Sequence, residues 1–579
     1  MGKRSAKHET AAQEKAIEAR PLPESPKGDL LPILTIIAAW LVMEVLVDPR
    51  GDFPLNDDWC YARSVLVLLK EHKLRLLGIV PMTLVAQVVW GALFCLVLGA
   101  THTALRISTV VLGLGGLLAT YGLLREARVL RWIAVIGCMI VAVNPLYFEL
   151  SNTFMTDVPF SAVVLMSMYL YVRALRRDSA IELVAATVLA CIATLIRQLG
   201  LMLPLSFAVA CLVTNGFRAR AIVRSAVPVV IVLAVLIAYQ EWLKLNGLMP
   251  SYYSKQAHMY KMFTSSGWDF WILGITHVAR CSFVYFGLFA FPFLMLAYGR
   301  SWEAISRKLK TANTIVAVIC SSAVLIWMLV RNEWMPLKKA GGDCLLDLGV
   351  GPSLLTDQFL KRMNHLPTAP TWFWVTVSLV GVVGGGLLIR HLLSAAEALF
   401  IQKSKSVSPF DRGYIAFVLA AVFLYLAPIV SLTAMVYFDR YFLCAVPLVL
   451  VLIALTGGLS ARLDRWDITS ALVVILLFGA FSVGAVHDYL EWNRTRWTAL
   501  GVLVLRDGVS ANRIDGGYEF NGWYHYRGVD QHWWRVIRDD YMISFGPVPG
   551  YKVIERYPYR RWMPPGEGQI LVLRKIIHL

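Results

Sequence analysis

The sequence predicts an all-α polytopic membrane protein with about 13 transmembrane helices, long loops on one face and a small α/β domain at its C-terminal end. Composition, segment length and charge placement carry that reading. The 579 residues are 58% hydrophobic and only 16% charged, with a mean hydropathy of +0.61, whereas a soluble domain carries about 25% charged residues. Apolar stretches recur along most of the chain at the length needed to cross ~30 Å of hydrocarbon. They lack the alternating period of a membrane β-barrel. The net charge of +17 sits in short loops between these stretches, which is the positive-inside pattern and not a nucleic-acid surface.

Each element follows from the same signals. Residues 1–29 are polar and lysine-rich, without an apolar core or cleavage site, and predict a disordered cytoplasmic tail. The transmembrane region runs over 30–487. Its candidate spans are 30–47, 104–124, 131–148, 158–176, the broken pair 180–196 and 198–214, then 222–243, 277–298, 312–331, 372–390, 413–436, 441–458 and 468–487. The apolar run 82–99 is ambiguous by length, and charge decides it. If 82–99 does not cross, the loops bearing Arg125/Arg128/Arg131, Arg173/Arg176/Arg177, Arg218/Arg220/Arg224 and Arg462/Arg465 all fall on the cytoplasmic side. The outer face then collects four long pieces: 48–103, which carries amphipathic helices, 244–276, 332–371 and the extracytoplasmic tail 488–579. Within the tail, Arg494–Leu505 reads as a helix, and Tyr541–Phe545, Tyr551–Tyr557 and Gln569–Lys575 as strands between Gly/Pro turns. The nine cysteines form no CxxC pair or Cys/His cluster, so neither a zinc site nor a disulfide framework is indicated. No internal repeat appears, which argues against a typical secondary transporter.

Chemistry-bearing residues gather at the outer ends of the spans. The first span hands over to Asn56-Asp57-Asp58-Trp59-Cys60-Tyr61. One acid there is explained by helix capping; two adjacent acids beside hydrocarbon exceed what a cap needs. Asp157, before Pro159, opens the fourth span from the same side, and again fits either a cap or a second carboxylate in the plane of Asp57. Two acids from separate loops on one cavity suit general-base chemistry. Asp57, Asp58 and Asp157 could also hold Mg²⁺ or Mn²⁺ through oxygen. Arg197-Gln198 interrupts the hairpin 180–214, and Arg440-Tyr441 sits in a late outer turn beside Asp439. A guanidinium binds phosphate bidentately, and it equally pairs with a loop acid. The loop from Tyr252 to Lys261, with Lys255 and His258, interleaves aromatic and basic side chains. That pattern suits a sugar phosphate or an interfacial belt.

These residues in this order resemble the GT-C superfamily of lipid-phosphate-sugar-dependent glycosyltransferases. Its relatives are the protein O-mannosyltransferases, the aminoarabinose transferases of lipid A and the rhizobial-type lipopolysaccharide core transferases. The matching pieces are Asp57-Asp58-x-x-Tyr61, the segment Thr83 to Leu98 followed by Ala104-Leu-Arg106, Met155-Thr-Asp157-Val-Pro159, the Leu195-Ile-Arg197-Gln198 break and Arg440-Tyr441. The resemblance implies a multi-pass enzyme of the bacterial inner membrane with a cytoplasmic N-terminus and an extracytoplasmic C-terminus. It implies a polyprenyl-phosphate sugar donor, a glycan, lipid or protein acceptor, and inversion at the anomeric carbon. It puts the base on Asp57 and a supporting acid on Asp157. Asp58 stands where several relatives carry Glu. No nucleic-acid partner is expected, and no GxGxxG or P-loop is present. The rival classes are a transporter or flippase of a lipid-linked glycan, which wants charges near the bilayer midplane, and a glycan ligase or polymerase, which relies mainly on arginines.

Overall fold

The computed structural model describes residues 28–253, 265–298, 312–337, 343–346, 348–400, 408–432, 438–456, 459, 465–528, 536 and 538–576. The expected tail 1–29 lies outside them except for its last two residues. Of these, Asp29 pairs with Arg125 and Arg131 at 3.2 and 3.3 Å.

The helices in chain order are α1 Leu30–Val47, α2 Asp58–Glu71, α3 Val85–Leu98, α4 His102–Glu126, α5 Arg131–Ala142, α6 Pro145–Ser151, α7 Asp157–Arg177, α8 Ala180–Ile196, α9 Met202–Asn215, α10 Ala219–Leu245, α11 Trp268–Tyr298, α12 Ala312–Arg331, α13 Thr356–Phe359, α14 Thr371–Phe400, α15 Pro409–Leu432, α16 Ala445–Leu455, α17 Arg465–Gly501 and α18 Tyr518–His525. Among the described residues ten helices are long and apolar enough to span: α1, α4, α7, α9 with the turn Gln198–Leu201, α10, α11, α12, α14, α15 and α17. The pair α5 and α6, bent by 68°, raises the count to eleven. The protein is a multi-pass membrane protein, with fewer long spans than the expected 13.

Two expected spans, 180–196 and 441–458, are shorter helices among the described residues, the first with its expected bounds. Helix α8 stops after 17 residues because Arg197 turns extended at its end, where it can reach a carboxylate. Helix α16 begins only at Ala445 because Asp439–Phe442 is wound as a 3-10 turn that buries Asp439 and Arg440. The run 82–99 becomes the 14-residue α3, about 21 Å long at 1.5 Å per residue and short of a full crossing. It is tied to the ends of other helices: Leu84 N–H donates to Ile196 O, and the Gln87 amide to Phe154 O at 2.8 Å.

Small residues set the closest helix crossing. Gly287 on α11 lies against Gly381, Gly384 and Gly385 of α14, where an added Cβ meets backbone, the close approach that small residues permit between membrane helices.

After α17 the chain forms a small sheet from β1 Ile514–Asp515, β2 Tyr541–Ser544, β3 Tyr551–Trp562 and β4 Pro565–Lys575. The order is β1-β2-β4-β3, with β1 and β2 parallel and the other pairs antiparallel. The expected strands all appear, the last two as one long hairpin. Its tip is pinned to α17, where Asp488 accepts from the N–H groups of Trp562 and Met563 at 2.7 and 2.8 Å. The expected tail boundary at 488 falls inside the continuous helix α17.

Candidate active site

The first loop is built to hold its turn rigidly. Phe53, Pro54, Leu55 and Asn56 are buried. Arg106, itself buried in α4, donates to the carbonyls of Pro49 and Phe53. The turn needs one residue in the left-handed region, and Asn56 at φ 55° fills it, a conformation asparagine tolerates better than most residues. Asp58 then serves the backbone. One carboxylate oxygen reaches back to Leu55 N–H at 2.6 Å, and the other accepts from Phe154 N–H at 3.1 Å. This staples the first loop to the 152–157 turn that opens α7. Burial pushes the Asp58 carboxyl up to about 7, against the pull of Arg106 and the two N–H groups.

That staple leaves its neighbour with a different environment. Asp57 keeps 31% of its side chain exposed and has Arg440 at 3.7 Å. The Tyr518 hydroxyl donates to Asp57 Oδ1 at 2.6 Å. Asp157, at the head of α7, is almost wholly buried and pairs with Arg197 at 2.8 Å. Arg197 Nε also donates to Thr156 Oγ1 at 2.8 Å, and its guanidinium lies over the Phe160 ring. The fork expected for a phosphate is thus engaged by Asp157 and Thr156.

Arg440 joins the two acids. Burial opposes its charge, but Asp157 foremost, then Cys344, Tyr441 and Asp57, more than offset this and hold the guanidinium firmly protonated. Asp439 accepts from the N–H groups of Cys344 and Leu345 at 2.9 and 2.6 Å. Burial and the adjacent Asp343 push Asp439 up to about 7. Tyr441 and Tyr61 complete the group: burial raises both phenols, and Arg440, Arg197 and Asp57 all act on each. Gln198 donates to Pro81 O at 3.1 Å and holds the segment before α3. Lys255 and His258 lie outside the described residues.

So Asp57, Asp157, Arg197, Arg440, Tyr61 and Tyr441 share one electrostatic cluster, formed where α7, α8, α16 and the first loop meet. The three acids do not fit a common cation. Both oxygens of Asp58 accept backbone N–H groups, Asp157 faces Arg197, and among the described residues no three His, Cys, Asp or Glu side chains gather as a metal-binding group. Sequence reasoning missed Tyr518, Thr156 and the Glu519–Arg496 pair. Only Gly516-Gly517, just before α18, signals a close backbone approach there.

The comparisons fall on this region. Residues 85–243, from α3 to the end of α10, match the family described as dolichyl-phosphate-mannose-protein mannosyltransferase. The chain resembles the GT-C glycosyltransferases. The match contains two of the cluster's residues, Asp157 and Arg197, and the GT-C likeness therefore rests on a sequence profile as well as on motif order. Among solved structures, ArnT from Cupriavidus metallidurans bound to undecaprenyl phosphate aligns with 93% of this chain and 97% of that one, at 13% identity and TM-score 0.38. Its apo state aligns over the same shares at 14% identity and TM-score 0.36. No curated protein sequence matches the chain.

Proposed function

We propose that the protein transfers a sugar from a polyprenyl-phosphate donor to the hydroxyl of a glycan, lipid or protein acceptor, at the outer face of a bacterial inner membrane. One observation carries the reading: a part-exposed carboxylate, Asp57, stands 3.7 Å from a buried, permanently charged guanidinium, Arg440. The carboxylate can take a proton, and the guanidinium can receive the negative charge that develops on a leaving phosphate.

Asp57 accepts the proton of the acceptor hydroxyl. The oxygen attacks the anomeric carbon from the face opposite the phosphate, so the configuration inverts. The bond between that carbon and the phosphate oxygen breaks, and its electron pair leaves with the polyprenyl phosphate toward Arg440. Tyr441 and Tyr61 line the approach. Asp157, tied to Arg197, supports Arg440 by charge and takes no proton. No step runs through a divalent cation. The position of both acids at helix ends favours surface transfer over carriage through the midplane, where a transporter needs its charges.

The test uses membranes holding the protein and radiolabelled polyprenyl-phosphate sugars. Asp57→Asn is expected to abolish transfer in a protein that still folds. Undiminished transfer in that variant overturns the reading.

A further inference from the structure

We infer that Tyr518, carried to the site by the C-terminal region, is a positioning residue that fixes the orientation of Asp57. The inference rests on the reading of Asp57 as the base and names a second residue on which that base depends.

Adjacent residues grip adjacent residues. The Tyr518 hydroxyl donates to Asp57 Oδ1 at 2.6 Å, and Glu519 Oε1 accepts from Asn56 N–H at 3.1 Å. The first turn of α18 therefore holds both the side chain of the base and the peptide that precedes it. The grip is braced behind. Glu519 is fully buried and pairs with fully buried Arg496 of α17 at 3.0 Å. Arg496 Nε also donates to Gly516 O at 2.9 Å, just ahead of α18. Tyr518 N–H donates to Leu354 O at 3.0 Å, and the Tyr518 ring meets Phe359 edge-on. One turn further on, Gly522 presses against the Trp59 ring, where a Cβ does not fit. A hydroxyl held this firmly is pre-organised, and a short bond from a neutral donor to a carboxylate is among the stronger hydrogen bonds a protein makes.

The chemical effect is selective between the two oxygens. Oδ1 is engaged by the phenol, while Oδ2 faces Arg440. Oδ2, the oxygen the phenol does not hold, is therefore the one that meets the acceptor hydroxyl. Without the phenol, the carboxylate can rotate about its Cβ–Cγ bond and bring either oxygen to Arg440. Positioning of this kind acts on kcat, because it changes the aim of the base and leaves the guanidinium that receives the phosphate unaltered.

The test compares Tyr518→Phe with Asp57→Asn in membranes, using a polyprenyl-phosphate sugar. Tyr518→Phe keeps the ring against Phe359. It is expected to lower kcat roughly ten- to hundredfold, the size of one hydrogen bond to a charged group, with the donor KM held. Other charged or titratable groups around Asp57 are Arg440 and Tyr441 from the 438–443 turn, Asp157 with Arg197 beyond Arg440, and Cys60 and Tyr61 on α2. None of them is altered by the substitution. Should Tyr518→Phe fail to fold, 4-fluorophenylalanine at 518 fills the space of the hydroxyl without donating and is expected to lower kcat by the same factor. If Asp57→Asn is inactive while Tyr518→Phe matches wild type in kcat, the inference falls and the base assignment stands. A raised KM with kcat unchanged makes Tyr518 a binding residue and equally overturns it. Full activity of Asp57→Asn removes both.

Discussion

Two helix heads face the same cluster with the same residue type and opposite outcomes. Both α2 and α7 begin at an aspartate in a first turn, where free N–H groups and the helix dipole favour negative charge. At the head of α2, Asp58 sinks into the protein and leaves Asp57 at the surface with 31% of its side chain exposed. At the head of α7, Asp157 is itself the buried acid, 2% exposed and matched to Arg197. The dipole treats the two heads alike; partners decide which acid is buried in an ion pair and which stays part-exposed, as the proposed base must. A second acid beside the first is what frees Asp57, since Asp58 takes over the backbone duties a single capping residue would perform.

The contrast can be broken at four places. The largest effect on activity belongs to Asp57→Asn: transfer falls by roughly 10²–10⁴-fold, the range of general-base catalysis, with the thermal midpoint in detergent unchanged. Asp157→Asn should instead cost stability, about 3–5 kcal/mol for stranding a buried partner charge, read as a lowered midpoint and poor recovery from membranes. If Asp157→Asn loses transfer at an unchanged midpoint, the two heads are chemically equivalent and the contrast fails. Asp58→Asn replaces one acceptor oxygen by an NH₂ that faces a backbone N–H, at a cost of about 1–3 kcal/mol.

The same substitution removes a pH slope. Burial raises the folded Asp58 carboxyl from 3.8 to about 7, so across that window the folded protein holds a proton the unfolded chain has released. The stability it contributes is complete below the ordinary carboxylate range and declines as pH rises toward 7. Thermal scans at stepped pH should show this decline in the wild type and a flatter course in Asp58→Asn. The smallest effect is Thr156→Val, which removes one hydrogen bond to Arg197 at about 1 kcal/mol. It should lower the midpoint slightly and leave transfer intact.

Much of the architecture was legible because lipid imposes length and composition on each helix. Charge in the loops separated α3 from the true spans, and the acids at 57, 58 and 157 stood out because carboxylates beside hydrocarbon are rare. The span count was not legible. Residues 441–458 look like one apolar stretch, yet Asp439 and Arg440 pull the chain into a 3-10 turn before α16 begins. The partition of roles between Asp57 and Asp58 was equally hidden, because it depends on Phe154 N–H, 96 positions away. Arg197 read equally as a phosphate binder or as the partner of an acid, because Asp157 lies on another helix and the sequence does not bring the two together. Tyr518 was out of reach altogether: an isolated tyrosine 461 positions from its partner leaves no trace in periodicity or spacing.

A ribosome makes Asp57 long before it makes Tyr518. Through most of synthesis the membrane helices can insert while the carboxylate has neither its phenol nor the brace formed by Glu519 and Arg496. The nascent protein is thus a bundle with an unaimed acid, and it acquires its aim only when the final stretch folds back over the first loop. A message cut short upstream of α18 would yield an inserted bundle in which, on the proposed function, the base is never aimed and transfer fails.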